Sequence, residues 1–154
     1  MLRRSTDSGS TWGPTEFVAF GTDFDTVFDA VRQRVIVQFC GGGTEPLPND
    51  NTQCAAGGRT FQIVSIDPAG KSWHVPTQIL PKLAIGPQHA SQEGPGRGIQ
   101  LRRPPHAGRL LFTGHPGVDP SCYGSTIWAS DDGGASYKVL HTICNGAAPD
   151  CHHS

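Results

Sequence analysis

The chain lacks an excess of charge, a long apolar run and any nucleotide-binding signature, and each absence removes a class of function. Twelve Lys and Arg stand against 13 Asp and Glu, a formal net charge of −1 over 154 residues. That balance gives no electrostatic basis for gripping nucleic acid or a polybasic hold on a membrane surface. The longest apolar stretch falls well short of the roughly 20 residues that a membrane-spanning helix needs. The Gly-rich stretch GGGTEPLPNDNTQCAAGG (residues 41–58) lacks the strand-GxxxxGK-helix context of a phosphate-cradling loop. Cys144, Cys151, His152 and His153 gather near one end but match no standard zinc spacing. No Ser/His/Asp triad suggests itself, and no cofactor is implied. Met1 is followed at once by Leu2, Arg3 and Arg4, which leaves no room for an apolar signal region before Ser5. The sequence assigns no compartment.

What the chain does have is turns. Twenty Gly and 13 Pro are scattered among short apolar runs rather than gathered in one block, the pattern of an all-β fold. EFVAF (16–20) reads as a strand followed by a polar corner, GTDFD. VFDAVRQRVIVQF (27–39) reads as a hairpin turning at DAVRQR. Its second half, RVIVQF, alternates with the period of a half-buried strand, and its β-branched residues weigh against the competing helical reading. TFQIVS (60–65) and WHVP (73–76) are further strands, with an irregular connection over 76–92. GIQL and RLLFTG form a hairpin over 98–114, followed by STIWAS (125–130) and YKVLHTI (137–143). The total is nine or ten short strands and no helix.

Five cysteines, Cys40, Cys54, Cys122, Cys144 and Cys151, leave at least one without a partner in the chain. Cys40 and Cys54 flank a loop that a disulfide would close, and Cys144 and Cys151 form a second such pair. Free thiols are the other reading, and bridges would imply an oxidising compartment.

One pattern recurs. STDSGSTW (5–12) and SDDGGASY (130–137) share Ser, Asp and Gly at alternate positions and an aromatic three residues after the Gly. SIDPAGKSW (65–73) is a third copy with one residue inserted between Asp67 and Gly70. The leading serines stand 60 and 65 residues apart, and self-similarity at such intervals indicates a propeller or array. Physically, each copy is a turn between antiparallel strands. Ser and Asp tie its backbone amides, Gly supplies a positive φ, and the aromatic begins the next strand. Asp131 and Asp132, adjacent carboxylates at first sight suited to glycosidic chemistry, are therefore scaffold, with Asp131 in a variable slot.

This pattern resembles the Asp box of the sialidases and related propellers. The box alone implies only a propeller, because it also occurs in glucanases, sorting receptors and photosynthetic assembly factors. A more specific likeness lies in GPGRGIQL (94–101), which resembles the Gly-Pro-Gly-x-Gly-Ile-Gln segment that follows the second box in sialidases. RPPHAGRLLFTGH (103–115) resembles the Asn/Pro-His-x-x-Gly-Arg-Leu hairpin that comes next in that family. The resemblance runs from residue 5 to residue 137.

It implies an all-β fold: a β-propeller arc of about three blades from a six-bladed sialidase-like propeller, with residues 1–154 forming a single incomplete domain. Three boxes are too few to close a ring of about 4 to 8 blades, so the chain alone should expose raw, aggregation-prone edges. The activity implied for the complete protein is exo-α-sialidase, a retaining hydrolase acting on sialylated glycoproteins, glycolipids or oligosaccharides. The family uses a Tyr nucleophile paired with a Glu, an Asp acid/base and three arginines that clamp the substrate carboxylate. By the resemblance, those groups lie before the first box or after the third, so no catalytic residue is expected in this chain. Arg3 and Arg4 are expected at the surface. Candidates for the wall of the sugar pocket are His115, at the end of the LFTG strand, Arg97 and Gln100 on the signature strand, Asp23 and Glu93. Arg97 and Gln100 have a second reading as supports of their own loop, and Asp23 and Glu93 as solvated loop residues. Asp23 stands in TDFD where relatives often carry an Asn-Pro corner. The alternative function is a non-catalytic Asp-box propeller that binds glycans or proteins.

Overall fold

The structure, a computed structural model, describes residues 1–44, 60–79, 91–93, 96–116 and 124–144. Ten strands form two sheets, with no helix among the described residues. The first sheet contains β1 (Phe20–Asp29), β2 (Arg34–Gly43), β3 (Thr60–Val64), β4 (Thr77–Gln78) and β6 (Gly96–Arg97), in the order β4-β3-β2-β1-β6. The second contains β5 (Ser91–Glu93), β7 (Ile99–Gln100), β8 (Leu110–Pro116), β9 (Gly124–Ser130) and β10 (Lys138–Cys144). Its order is β10-β9-β8-β5, with β7 also pairing with β8.

The hairpin anticipated at DAVRQR is present as β1 and β2, but β1 starts earlier than the sequence suggested. The corner GTDFD is part of the strand, and Glu16 makes only an isolated bridge to Leu2. Pairing shifts between Thr22 and Asp25, so that Asp23 and Phe24 oppose Phe39 alone in a bulge. A bulge lets polar residues occupy a strand without regular alternation, and for that reason the segment read as a corner. Two stretches anticipated from the repeats, the Ile99–Gln100 hairpin with β8 and the strands either side of the third box, pair as expected.

Alternation along the strands builds two apolar layers. Val27, Ile36, Ile79, Leu110, Phe112, Trp128 and Tyr137 form the core between the sheets. Val37, Phe39, Ile63 and Ala19 form a second cluster on the other face of the first sheet. Full burial of each large apolar side chain contributes about 1.5–3 kcal/mol. Polar side chains cross the layer between the sheets: Trp128 Nε1 donates to Gln38 Oε1 at 2.9 Å, and Tyr137 Oη donates to Gln62 Oε1.

The three Ser-Asp-Gly turns are closed by their own side chains, and their differences are informative. In the first, Ser5 Oγ accepts the Gly9 amide at 2.7 Å and Asp7 accepts the Thr11 amide and hydroxyl at 2.9 and 2.6 Å. The third repeats this with Ser130, Gly134, Asp132 and Ser136 at 2.6, 2.9 and 2.5 Å. Gly9 and Gly134 have φ of 91° and 93°, a conformation that a Cβ opposes. In the second box Asp67 accepts the Lys71 amide at 3.1 Å, and with the inserted residue its hydroxyl partner lies one position on, at Ser72. There the Ser65 hydroxyl accepts the Val35 amide of β2 at 2.7 Å. The box aromatic is buried in the third copy, where Tyr137 is 5% exposed and meets Phe112 edge-on, whereas Trp12 is 55% exposed.

Arginines knit box to sheet. Arg4 is half-buried rather than a free surface residue: its guanidinium donates to the Ala69 and Gly70 carbonyls of the second box and pairs with Glu16. Arg34 on β2 donates to Gly133 O of the third box at 2.6 Å. Arg3 is exposed, as expected, and donates to Gly13 O and Trp12 O.

Burial raises the Asp132 carboxyl, but the Ser136, Ser130 and Ala135 hydrogen bonds outweigh that effect and hold it at about 2. The unfolded chain ionises this group near 3.9, so the folded value is depressed. Its stabilisation is present above pH ~4 and is lost as pH falls towards 2. In paired acid-denaturation curves, the stability difference between wild type and Asp132→Asn should close across that window. A difference that persists at pH 2 would mean that the charge is irrelevant to the turn. A second expectation concerns Gly98, where a Cβ would stand 3.0 Å from Leu111 O and from Val27 Cβ and 3.1 Å from Phe112 Cδ1. Gly98→Ala should lower stability in denaturant titration by about 1–3 kcal/mol. At Gly13 the nearest atom is Arg4 O at 3.4 Å, and Ala there should have little effect.

Candidate functional site

Strand direction divides the molecule into two ends. β1 finishes at Asp29 beside the turn of residues 30–33, β3 runs into the second box, and β9 runs into the third. Contacts Val35–Ser65, Arg34–Gly133 and Gln100–Ala30 gather these turns together. The opposite end therefore carries the start of β1, the finish of β2, β5 and the finish of β8.

Three of the five pocket candidates fall at that opposite end. Asp23 lies near the start of β1. Glu93 closes β5 opposite Gly114, and His115 lies one residue further along β8, opposite Gln92. β5 also lies against β1 and β2, so two sheets contribute to one end. Arg97 is placed midway, exposed on β6, opposite Thr26. Gln100 is at the box end, away from Asp23, Glu93 and His115 along the strand direction. Its Nε2 donates to Asp29 Oδ1 at 2.8 Å and Gly108 O at 3.1 Å, and its Oε1 accepts the Ala30 amide at 2.8 Å. These bonds tie Gln100 to the turn of residues 30–33 and to Gly108.

Asp23 holds a left-handed backbone, φ 52°, which Asp and Asn tolerate better than most residues. The bulge half-buries it, and the Thr22 hydroxyl donates to its Oδ2 at 3.2 Å. The neighbouring Thr22 pairs with Cys40, which is buried and disulfide-bonded. For Cys40, the disulfide reading thus replaces the free thiol.

The signature segment owes its glycines to a change of allegiance. β5 and β7 pair with β8, but between them β6 leaves the second sheet and pairs in parallel with β1, Asp25 with Gly96 and Thr26 with Arg97. Gly98 then returns through the tight gap between Val27 and Leu111. This crossing stitches the sheets together.

Two buried carboxylates at the seam were not singled out from sequence. Asp29 is fully buried and accepts Gln100 Nε2, the Val31 and Arg32 amides, and Arg32 Nη1 at 3.3 Å. Asp25 is also fully buried, and burial raises its pKa against opposing hydrogen bonds from the amides of Thr113, Gly98 and Thr26. Alternation along β1 was the available signal: Asp25, Val27 and Asp29 share a face. By contrast, exposed Asp131 is held well below the usual carboxylate range, first by Arg109, whose Nε and Nη2 bind it at 2.6 and 3.0 Å, and then by Lys138. It is a surface tie, as expected. No group of His, Cys, Asp or Glu able to hold a metal occurs among the described residues, and residues 151–153 of the terminal Cys/His cluster lie outside them. No helix among them is long and apolar enough to cross a membrane.

No family model matches the chain. Solved sialidases do match it in fold. Hadza microbial sialidase Hz136 superposes with a TM-score of 0.67 at 20% identity, covering 92% of this chain and 30% of its own. Trypanosoma rangeli sialidase with 2,3-difluorosialic acid as a covalent intermediate gives 0.59 at 19% identity, covering 89% of this chain and 24% of its own. The same enzyme with sialic acid gives 0.54 at 18%, covering 92% and 26%. The chain therefore spans between 24% and 30% of the length of these structures. At such identities the likeness establishes the fold: an all-β arc of a sialidase-like propeller.

Gln100→Ala strands the Ala30 amide and one contact of buried Asp29, and should lower stability by about 1–3 kcal/mol. Denaturant unfolding measures this. Unchanged stability would return Gln100 to the list of residues available for a ligand.

Proposed function

We propose that the complete protein is an exo-α-sialidase that releases terminal sialic acid from glycoproteins, glycolipids or oligosaccharides. The observation that carries the reading is the coincidence of two independent likenesses. The segment GPGRGIQL resembles the sialidase signature, and in this fold it is the strand that crosses between the two sheets. Asp boxes alone are common to several propeller families and favour no activity.

In this reading, Asp23, Glu93 and His115 contribute to the wall of the sugar pocket at the end of the sheets away from the boxes, with Arg97 deeper along the seam. The nucleophile, the acid/base and the arginine clamp belong to parts of the propeller that these 154 residues do not supply. The substrate bears a carboxylate at its reacting carbon, which repels an anionic nucleophile. A neutral phenol avoids that repulsion, and arginines recognise the carboxylate by paired charge-assisted bonds. The buried Cys40 disulfide fits a protein of an oxidising compartment.

Release of the reporter from a fluorogenic sialoside tests the proposal. The full-length protein should turn the substrate over, and the 154-residue chain should not. His115→Ala in the full-length protein should lower kcat/KM by about 5- to 30-fold, the range expected for losing one polar contact to substrate. Sialoside binding without turnover by the full-length protein would favour the non-catalytic glycan-binding reading. Neither binding nor turnover would remove both.

A further inference from the structure

Where the signature strand crosses, the two sheets share a buried side chain as well as a backbone. On its inner edge β8 is paired at Leu110 and Leu111 by β7 and from Gly114 to Pro116 by β5. Phe112 and Thr113, between these, have no strand partner on that edge among the described residues. The Thr113 amide donates instead to Asp25 Oδ2 at 3.2 Å, and the Gly98 amide donates to the same carboxylate. Asp25 is itself the residue on β1 that pairs with Gly96. One fully buried side chain thus touches the strand that leaves, the strand that is left and the strand that receives.

We propose that Asp25 is a positioning residue that ties the Thr113 amide of β8 and the Gly98 amide to β1, fixing the seam and the register of the strands that carry Asp23, Glu93 and His115. The inference stands on the seam geometry and does not depend on the sialidase reading. The other acceptor, Oδ1, has no partner and is buried. An ionised carboxylate there is poorly compensated, since burial is the largest influence on it. The charged or titratable residues on the elements packed around it are Asp23 and Asp29 on β1, Arg34 on β2, Glu93 on β5, Arg97 on β6 and His115 on β8; β7 carries none.

The sign of the pH dependence follows. A folded pKa raised above the unfolded value of about 3.9 makes the Asp25 contribution largest below that pH and progressively lost as pH rises through the folded value. The neutral amide of Asp25→Asn keeps one acceptor oxygen and cannot ionise.

Hydrogen exchange of the Thr113 and Gly98 amides in the 154-residue chain, with Asp25→Asn, Asp25→Ala and Asp25→Leu, tests the proposal. Exchange in the Asn variant should match or fall below wild type. In the Ala and Leu variants it should accelerate by about 10- to 100-fold, as for amides that lose a buried acceptor. Leu restores volume without an acceptor, so protection of Thr113 by Leu would overturn the proposal in favour of simple packing. The stability of wild type relative to Asp25→Asn should fall as pH rises above 4; parallel pH curves would also overturn it. Should the Ala and Leu variants fail to fold, the comparison of Asn with wild type retains both readouts. Sialoside turnover enters none of these measurements, so this inference and the proposed activity fail separately.

Discussion

The constraint on which the rest of the structure depends is that one short strand belongs to two sheets. Between Ser91 and Gln100 the backbone pairs first with β8, then with β1, then with β8 again. Two twisted sheets placed face to face normally share only side-chain contacts, and they slide relative to one another at modest cost. Backbone pairing across the boundary removes that freedom, because hydrogen-bond register is set to a single residue. The crossing has two requirements. The backbone must pass close to Val27 and Leu111, which opposes a Cβ at residue 98, and the Thr113 amide of β8 takes a side-chain acceptor. Gly98 meets the first and Asp25 the second.

The carboxylates divide according to this architecture. Asp7, Asp67, Asp131 and Asp132 lie in turns with water nearby, and hydrogen bonds from Thr11, Lys71, Arg109 and Ser136 respectively stabilise their charged forms. Asp25 and Asp29 lie on the inward face of β1 between the sheets. Asp29 is compensated by Gln100 and by arginines 32 and 34, and through Arg34 its surroundings extend to the third box. Asp25 has only backbone donors. The molecule therefore concentrates its least favourable charge at the seam, midway between its two ends, where accurate registration of the sheets is most needed.

Much of this was legible in the sequence, for definite reasons. The Asp boxes could be read because their bonds are local: Ser5, Asp7, Gly9 and Thr11 satisfy one another within a single turn. The hairpins of residues 27–39 and 98–114 could be read from alternation and turn residues. The extent of β1 could not, since a bulge at Asp23 and Phe24 breaks the alternation that marks a strand. Arg4, Gln100 and Asp25 could not be assigned either, because their partners lie 65, 71 and 88 residues away and on different elements. In each case a polar side chain on an apparently ordinary strand completes the backbone of another strand or turn. Such pairings leave no periodicity in either segment.

The separation of the two ends keeps the most recognisable motif of the chain apart from Asp23, Glu93 and His115. Boxes, hairpin turns and the arginines that hold them occupy one end, where their carboxylates are already fully engaged in backbone and guanidinium contacts. A ligand there would have to displace bonds that close the turns. At the other end, Asp23 sits on a bulge, and Glu93 and His115 lie on neighbouring strands at adjacent registers. Bulges and strand ends are where a sheet can redirect a side chain at little expense to its ladder. The seam connects the two ends mechanically, since Gln100 anchors it among the turns and Glu93 emerges from it at the opposite edge. A substitution at the box end can thus disturb the far end without touching it, by altering the register of a single crossing strand.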